Sequence, residues 1–426
     1  MKAIIHIGTH KTGTTTIQRF LGVNRNSLIM RGLYIPSSVT ETQAQHLELH
    51  AATGFPNILN VPDFVTNNIC AGTFHKNEFS LEDQEKYWGK YRHEIETNCQ
   101  KDISVFFSNE NLIFLVEDEI SRLQKLMASL FDDVTIVLYL RRQPEYLVSL
   151  YSTHVRGGLT LGFNDYLNQF EKSPFLAYHK IVKRWSFFGK DKLKIRIFDK
   201  QEFHNNDLLS DFAHTIGIDT TGLIPVQNEF PSMGSAETEF LRLLNYHIST
   251  YFDPLTYNPD YLSLRATIAA ISGVKSKQGY YLTRSEVLHI LEKFREENAW
   301  IAREYLGREK LFNEDVSMYP EEVASPHGLT LERCAEIMAI LWKERCQQIH
   351  CLQQENQILA PPEKDARVTE MQCSLDNLSR FREKRSVYWH YYRCKLLAYL
   401  TFGKKRKHYK AKRDIFHEKI REIRRL

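Results

Sequence analysis

Residues 3–17 read Ala3-Ile4-Ile5-His6-Ile7-Gly8-Thr9-His10-Lys11-Thr12-Gly13-Thr14-Thr15-Thr16-Ile17, and this order sets the fold class. The apolar run Ala3 to Ile7 has strand length. It turns into a small, polar loop bracketed by Gly8 and Gly13. Ile17, Phe20 and Leu21 then repeat at helical spacing, so the order is buried strand, anion-sized loop and helix N-terminus. Such a loop can aim several backbone N–H groups at one point, and the unbonded N–H groups and positive dipole end of the helix aim there too. Lys11 adds a full charge, and Thr14, Thr15 and Thr16 add hydroxyl donors. A plain strand-to-helix turn would also explain the glycines.

The place of the lysine separates this loop from a nucleotide-hydrolysing P-loop, in which the lysine follows the second glycine and the next hydroxyl holds Mg²⁺. Here Thr14 follows Gly13, and Lys11 precedes it by two residues. The run Ile7 to Thr16 resembles the 5′-phosphosulfate loop of sulfotransferases that use 3′-phosphoadenosine 5′-phosphosulfate (PAPS) as donor. Its His-Lys-Thr-Gly-Thr-Thr form is similar to that of bacterial, carbohydrate-directed members. The resemblance implies that Gly8, Thr9, His10, Lys11, Thr12, Gly13, Thr14, Thr15 and Thr16 bind PAPS, with Lys11 at the leaving oxygen.

At 426 residues the chain exceeds the roughly 250–300 at which a single core stops growing, which predicts a main domain with attached parts. Hydrophobic content of 42% and charged content of 25% are those of a globular protein. The longest apolar stretch, near Val134 to Leu140, falls far short of the roughly 20 residues that a membrane span needs. The N-terminal strand belongs to the loop, so no signal peptide is expected. Seven scattered cysteines point to reduced thiols and a cytoplasmic location. Cys346, His350 and Cys351 lack a second ligand pair, so no metal is expected and they read as buried helix residues. The net charge of +4 hides an asymmetry, because residues 386–426 alone carry 13 Lys and Arg against three acids.

Along the chain, Gly32 to Pro36 reads as a short strand. His46 and His50 share a helical face, without the glutamate of a zincin motif. Residues 70–100 read as loop, then helix. The run Ile103 to Phe107 is a strand that ends in Ser108-Asn109-Glu110, where open α/β sheets place their ligands. In related families a Glu or His in this region takes the acceptor proton. That makes Glu110 the first candidate base and His46 the second; the alternative for Glu110 is a helix cap.

A helix over Ile120 to Leu130 leads to Val134–Leu140, nearly continuously apolar as a central parallel strand should be. Arg141-Arg142-Gln143-Pro144-Glu145-Tyr146-Leu147-Val148-Ser149 follows. In sulfotransferases an Arg ending this strand and a Ser eight residues later bind the donor 3′-phosphate. Arg141 and Ser149 have that spacing, and Arg142 is a candidate helper. Arginine suits the role because its planar fork meets two phosphate oxygens at once. Two departures from the eukaryotic pattern concern the adenine side: Thr16 stands where those members place a stacking Trp, and no Arg-Lys-Gly loop follows.

Lys192 to Asp199 alternates as a half-exposed strand, and the next segment reads as a helix closing on Gly217. Ala236 to Asn245, Thr283 to Leu306 and Leu329 to Gln357 carry helical spacing, the second opening with a Thr283/Glu286 capping box. Asn228 resembles an accessory position of bacterial members. The expected fold is a P-loop-like parallel sheet flanked by helices, with a sulfotransferase core over 1–226, a helical accessory region over 227–360 and a helical, aromatic and basic tail over 361–426.

In that tail, aromatic residues from Tyr388 to Phe402 precede Lys404-Lys405-Arg406-Lys407. This combination suits the inner face of the cytoplasmic membrane, where each basic residue near the surface contributes about 1 kcal/mol. A polyanionic glycan or partner is the alternative, and nucleic acid is the least expected. The implied activity is transfer of the sulfuryl group from PAPS, without a metal, to a hydroxyl of a bacterial surface glycan or glycolipid. A P-loop kinase-like enzyme and a non-catalytic glycan-binding protein with a degenerate loop are the rivals.

Overall fold

The computed structural model describes residues 1–37, 81–170, 175–226, 233–253, 256–275, 280–324 and 327–359. The chain divides into two compact units, Met1–Glu344 and Arg345–Leu426. In the first, β1 (Lys2–His6), β2 (Leu33–Tyr34), β3 (Ser104–Ser108), β4 (Asp133–Leu140) and β5 (Leu193–Ile197) form a five-stranded sheet of order β2-β3-β1-β4-β5. Every neighbouring pair is parallel. Helices cover both faces, so the inner strands bury residues of both parities and read as continuous apolar runs. Ala3, Ile5 and Ile7 join Phe107, Leu138 and Leu140 in one core, while Ile4 joins Phe106, Val137 and Tyr139 in the other.

The helices are α1 (Thr14–Val23), α2 (Arg25–Ile29), α3 (Leu81–Asn98), α4 (Glu117–Ala128), α5 (Gln143–Arg156), α6 (Phe163–Phe170), α7 (Tyr178–Trp185) and α8 (Leu208–Ile216). Ile17, Phe20 and Leu21 of α1 pack with Phe212 of α8 on the second core. Tyr146, Leu147 and Leu150 of α5 and Trp185 of α7 pack on the first. Gly217, with φ 74°, ends α8 in the left-handed conformation that favours glycine.

Beyond these come α9 (Ser235–Leu244), the hairpin β6 (Tyr251–Asp253) and β7 (Thr256–Tyr257), α10 (Pro259–Lys275), α11 (Arg284–Lys293), α12 (Arg295–Ile301) and α13 (Leu331–Leu359). This region is fastened to α5. The Tyr151 hydroxyl donates to Glu239 Oε1 at 2.8 Å, Asn245 Nδ2 to the Val155 carbonyl at 2.8 Å, and the side-chain amides of Gln143 and Asn298 bond reciprocally at 2.9 and 3.1 Å. The expected single helix from Thr283 to Leu306 is instead three pieces: α11, α12 and a π-helical turn, Ala302–Leu306. The break falls at Phe294 (φ −107°, ψ 8°), whose buried ring keeps the apolar spacing running through the bend. The capping box is present, with Thr283 N–H donating to Glu286 Oε2 at 2.7 Å.

Cys346 and Cys351 lie exposed on α13, which corrects their reading as buried residues. The Nε2 atom of His350 is 3.0 Å from Gln354 Nε2 on the same helix. Among the described residues no group of His, Cys, Asp and Glu could hold a metal ion, and no helix is long and apolar enough to cross a membrane. His46, Asn228 and the tail over 361–426 lie outside the described residues.

Candidate functional site

The connection after β1 leads towards β2 and that after β4 towards β5, in opposite directions along the sheet. A parallel sheet opens a crevice at the carboxyl ends of two such strands. The loop over residues 7–13 leaves β1 there, and Arg141 leaves β4 beside it. Backbone bonds lock the two together: Ile7 N–H donates to the Val137 carbonyl at 3.0 Å, Thr9 N–H to that of Tyr139 at 2.9 Å, and Tyr139 N–H to that of Gly8 at 2.6 Å.

Both bracketing glycines are required by geometry. Gly8 has φ +89°, and a Cβ there would approach Glu110 Cβ to 3.1 Å. Gly13 has φ +75° and caps α1, and a Cβ there would collide with Leu208 of α8. The threonines divide their work. Thr9 Oγ1 donates to the Tyr139 carbonyl at 3.2 Å and Thr12 Oγ1 to that of Thr9 at 2.6 Å, so these two hydroxyls close the loop. Ile17 N–H, bonded to the Gly13 carbonyl, is the first helical bond. The N–H groups of residues 10–16 have no acceptor among the described residues, which leaves them for an anion.

Lys11 (φ 62°) has no carboxylate partner among the described residues. Burial, then the charges of Arg156 and Arg141, lower its ammonium to about 8, and Glu110 pulls weakly the other way. Arg141 donates from Nη1 to the Lys11 carbonyl at 3.1 Å and lies 5.4 Å from the Phe198 ring centroid. Burial lowers its pKa, opposed by Glu145 and the hydroxyls of Tyr178, Tyr319 and Tyr146. Arg142 is engaged elsewhere, with Glu145 Oε1 at 2.5 Å and the Asp315 carbonyl at 3.0 Å.

Glu110 opens a short 3₁₀ helix, Glu110–Phe114, whose cap is its neighbour: Asn109 Oδ1 accepts from Asn111 N–H at 3.0 Å. The Glu110 carboxylate is therefore not the cap, and its Oε2 is buried without a hydrogen-bond partner among the described residues. Tyr146 of α5 also has a buried hydroxyl without a partner among the described residues, with a pKa raised by burial and then by Glu110. His10 places Nε2 at 3.1 Å from Asn111 Oδ1 and stacks on Phe114 with centroids 5.3 Å apart. An amide oxygen only accepts, so Nε2 carries the proton in this assignment and the buried, unpartnered Nδ1 carries the lone pair. Burial lowers the His10 pKa, against Glu110 and Asn111. Polar atoms left unpartnered in an interior call for a ligand or water.

Ser149 is half-buried on α5, and its carbonyl accepts from Thr153 Oγ1 at 3.0 Å. Tyr146, Ser149, Thr153 and Arg156 recur at three and four residues, so they form one face of α5. The charges of Glu110 and Arg141 act on Tyr146 at one end and that of Arg156 acts on Lys11 at the other, so that face is turned to the crevice. The structure thus unites the loop, Glu110, Arg141 and the Ser149 face. It adds Tyr146 and Arg156, whose only signal in the sequence was their helical spacing from Ser149.

No family model matches the chain, and no solved structure matches it. An uncharacterised protein of Archaeoglobus fulgidus is 28% identical over 209 residues, which cover 47% of this chain and 54% of that protein. The chain therefore spans about half the length of the curated relative it matches.

Proposed function

We propose that this protein transfers the sulfuryl group of PAPS to a hydroxyl of a carbohydrate, a bacterial surface glycan or glycolipid, with an amine as the rarer acceptor. One convergence carries the reading: a lysine and a run of loop N–H groups, neither with a partner among the described residues, meet a half-buried arginine at the crevice between β1 and β4. Three anionic groups of one ligand would be served there. The N–H groups of residues 10–16 bind the 5′-phosphosulfate, and Arg141 with Ser149 binds the 3′-phosphate and selects PAPS over ATP.

The donor brings its own leaving group, so the residues work by positioning and charge stabilisation. Glu110 takes the acceptor proton as the acceptor oxygen bonds to sulfur. Lys11 neutralises the phosphate oxygen freed as its bond to sulfur breaks. The products are the sulfated acceptor and 3′-phosphoadenosine 5′-phosphate (PAP). His46 is held as the second candidate base. The tail over 386–426 is read as a peripheral anchor on the inner face of the cytoplasmic membrane.

Incubation with radiolabelled PAPS and bacterial polysaccharide extracts tests the reading. Label should pass into acid-stable polymer in EDTA and should fail to do so with Lys11→Ala. Transfer of label from ATP instead, in the presence of Mg²⁺, would return the protein to the kinase-like class.

A further inference from the structure

We propose that Arg156 and Arg265 bind an anionic group of the acceptor, a sugar carboxylate or sugar phosphate, on the side of Lys11 away from the donor 3′-phosphate. This rests on the transferase reading and narrows its acceptor class.

The two ends of α5 separate the roles. Arg141 lies just before the helix and Arg156 is its last residue, so their backbones stand about 20 Å apart along the axis. Lys11 feels both charges. Starting from opposite ends of α5, the two side chains approach Lys11 from opposite directions, which gives the group near Arg156 a place across the transfer point from the one that Arg141 holds.

Helix capping does not explain Arg156. The last carbonyls of α5 are served by other groups: Asn245 Nδ2 donates to the Val155 carbonyl at 2.8 Å and Arg265 Nη1 to that of Arg156 at 3.2 Å, while the Tyr261 hydroxyl donates to Asn245 Oδ1 at 2.9 Å. Ion pairing does not explain it either. Four other half-buried arginines have carboxylates, Arg142 with Glu145, Arg196 with Asp211, Arg242 with Glu239 and Arg333 with Glu237, and Arg184 has the Leu115 and Ile113 carbonyls. Among the described residues neither Arg156 nor Arg265 has a carboxylate, and Arg156 Nε is buried without a hydrogen-bond partner. The charge that acts on Arg156 is that of Arg265, which, after burial, further lowers its pKa. Arg265 Nη1 on the Arg156 carbonyl at 3.2 Å fixes the two half-buried arginines near each other, and like charges so placed favour the entry of an anion.

The test uses the full chain saturated with PAP and three sugars that differ only at C6: glucose, glucuronate and glucose 6-phosphate. Binding is followed by ligand-observed NMR, and PAP affinity is measured separately by calorimetry. At least one charged sugar should bind the wild-type complex more tightly than glucose. Arg156→Gln and Arg265→Gln should each weaken that binding by about tenfold or more, the loss of one charge-assisted contact. Arg265→Lys should restore part of it. Preference for glucuronate or for glucose 6-phosphate tells carboxylate from phosphate. Glucose binding as tightly as both charged sugars, or charged-sugar binding that survives both substitutions, overturns the inference. So does a loss of PAP affinity in Arg156→Gln as large as that in Arg141→Ala, since it would assign Arg156 to the donor. Absence of PAP binding by the wild type refutes the transferase reading itself, before any sugar is added.

Discussion

If the proposed donor sits on Lys11, the depressed lysine makes its binding depend on pH in a calculable way. In the free protein burial, Arg156 and Arg141 hold its ammonium near 8 instead of the usual 10.5. A bound phosphosulfate or phosphate supplies the missing opposite charge and favours the protonated form. The sign follows: below about pH 8 the lysine is already charged and affinity is flat, and above it binding must take up a proton. If the complex regains the ordinary value, affinity for PAP falls about tenfold between pH 7 and pH 9, or about 1.4 kcal/mol. Proton uptake rises from about 0.1 to about 0.9 per site over the same range. The phosphates of the ligand do not obscure this, because their second ionisation lies near 6. Calorimetry in two buffers of different ionisation enthalpy counts the protons directly. Lys11→Gln should bind PAP more weakly at pH 7 and show no uptake at pH 9. Flat affinity with no proton uptake in the wild type, or uptake that persists in Lys11→Gln, would refute the placement of Lys11 at the anion.

Further outcomes follow from named contacts. Glu110→Gln should lower turnover by about 10²-fold or more with PAP affinity little changed, as expected for loss of a general base; near-normal rates would move the base elsewhere. Gly13→Ala, which forces a side chain onto Leu208 at positive φ, should destabilise the fold by about 1–3 kcal/mol in chemical denaturation. His6 and His154 are buried and held near 3 by desolvation, first in both, so the unfolded chain binds the extra protons. Their stabilising contribution is complete above about 6.5 and is lost as pH falls, by about 2 kcal/mol each at pH 5. Unfolding at pH 7 and pH 5, with His6→Asn as control, checks the slope. Removal of residues 386–426 should abolish sedimentation with anionic vesicles at low salt, and unchanged sedimentation would refute the membrane anchor.

The sheet was legible because its inner strands are buried on both faces. Ala3–Ile7, Ile103–Phe107 and Val134–Leu140 therefore stood out as apolar runs of strand length, and the observed strands match them to within a residue or so. The loop was legible because Gly8 and Gly13 bracket a short polar segment, and the two glycines proved to have steric reasons. Register across tertiary contacts was not legible. Helical spacing puts Arg156 on the Ser149 face, but that this face reaches Lys11 is a tertiary fact that no local pattern carries. The break at Phe294 was hidden because its buried ring preserves the helical period. Cys346 and Cys351 misled because spacing along a helix does not say which side is covered. For Glu110 the sequence left base and cap open; the Asn109 side chain, bonded to Asn111 N–H, takes the cap.

A proposed donor with a 3′-phosphate is tested by equilibrium binding of PAP against adenosine 5′-phosphate in EDTA. Arg141 offers a charge-assisted contact of about 1.5–3 kcal/mol to the one group that distinguishes the two ligands. PAP should bind about 10- to 100-fold tighter than adenosine 5′-phosphate, with the difference lost in Arg141→Ala. Equal affinity for the two, or a preference for ATP with Mg²⁺, would contradict it.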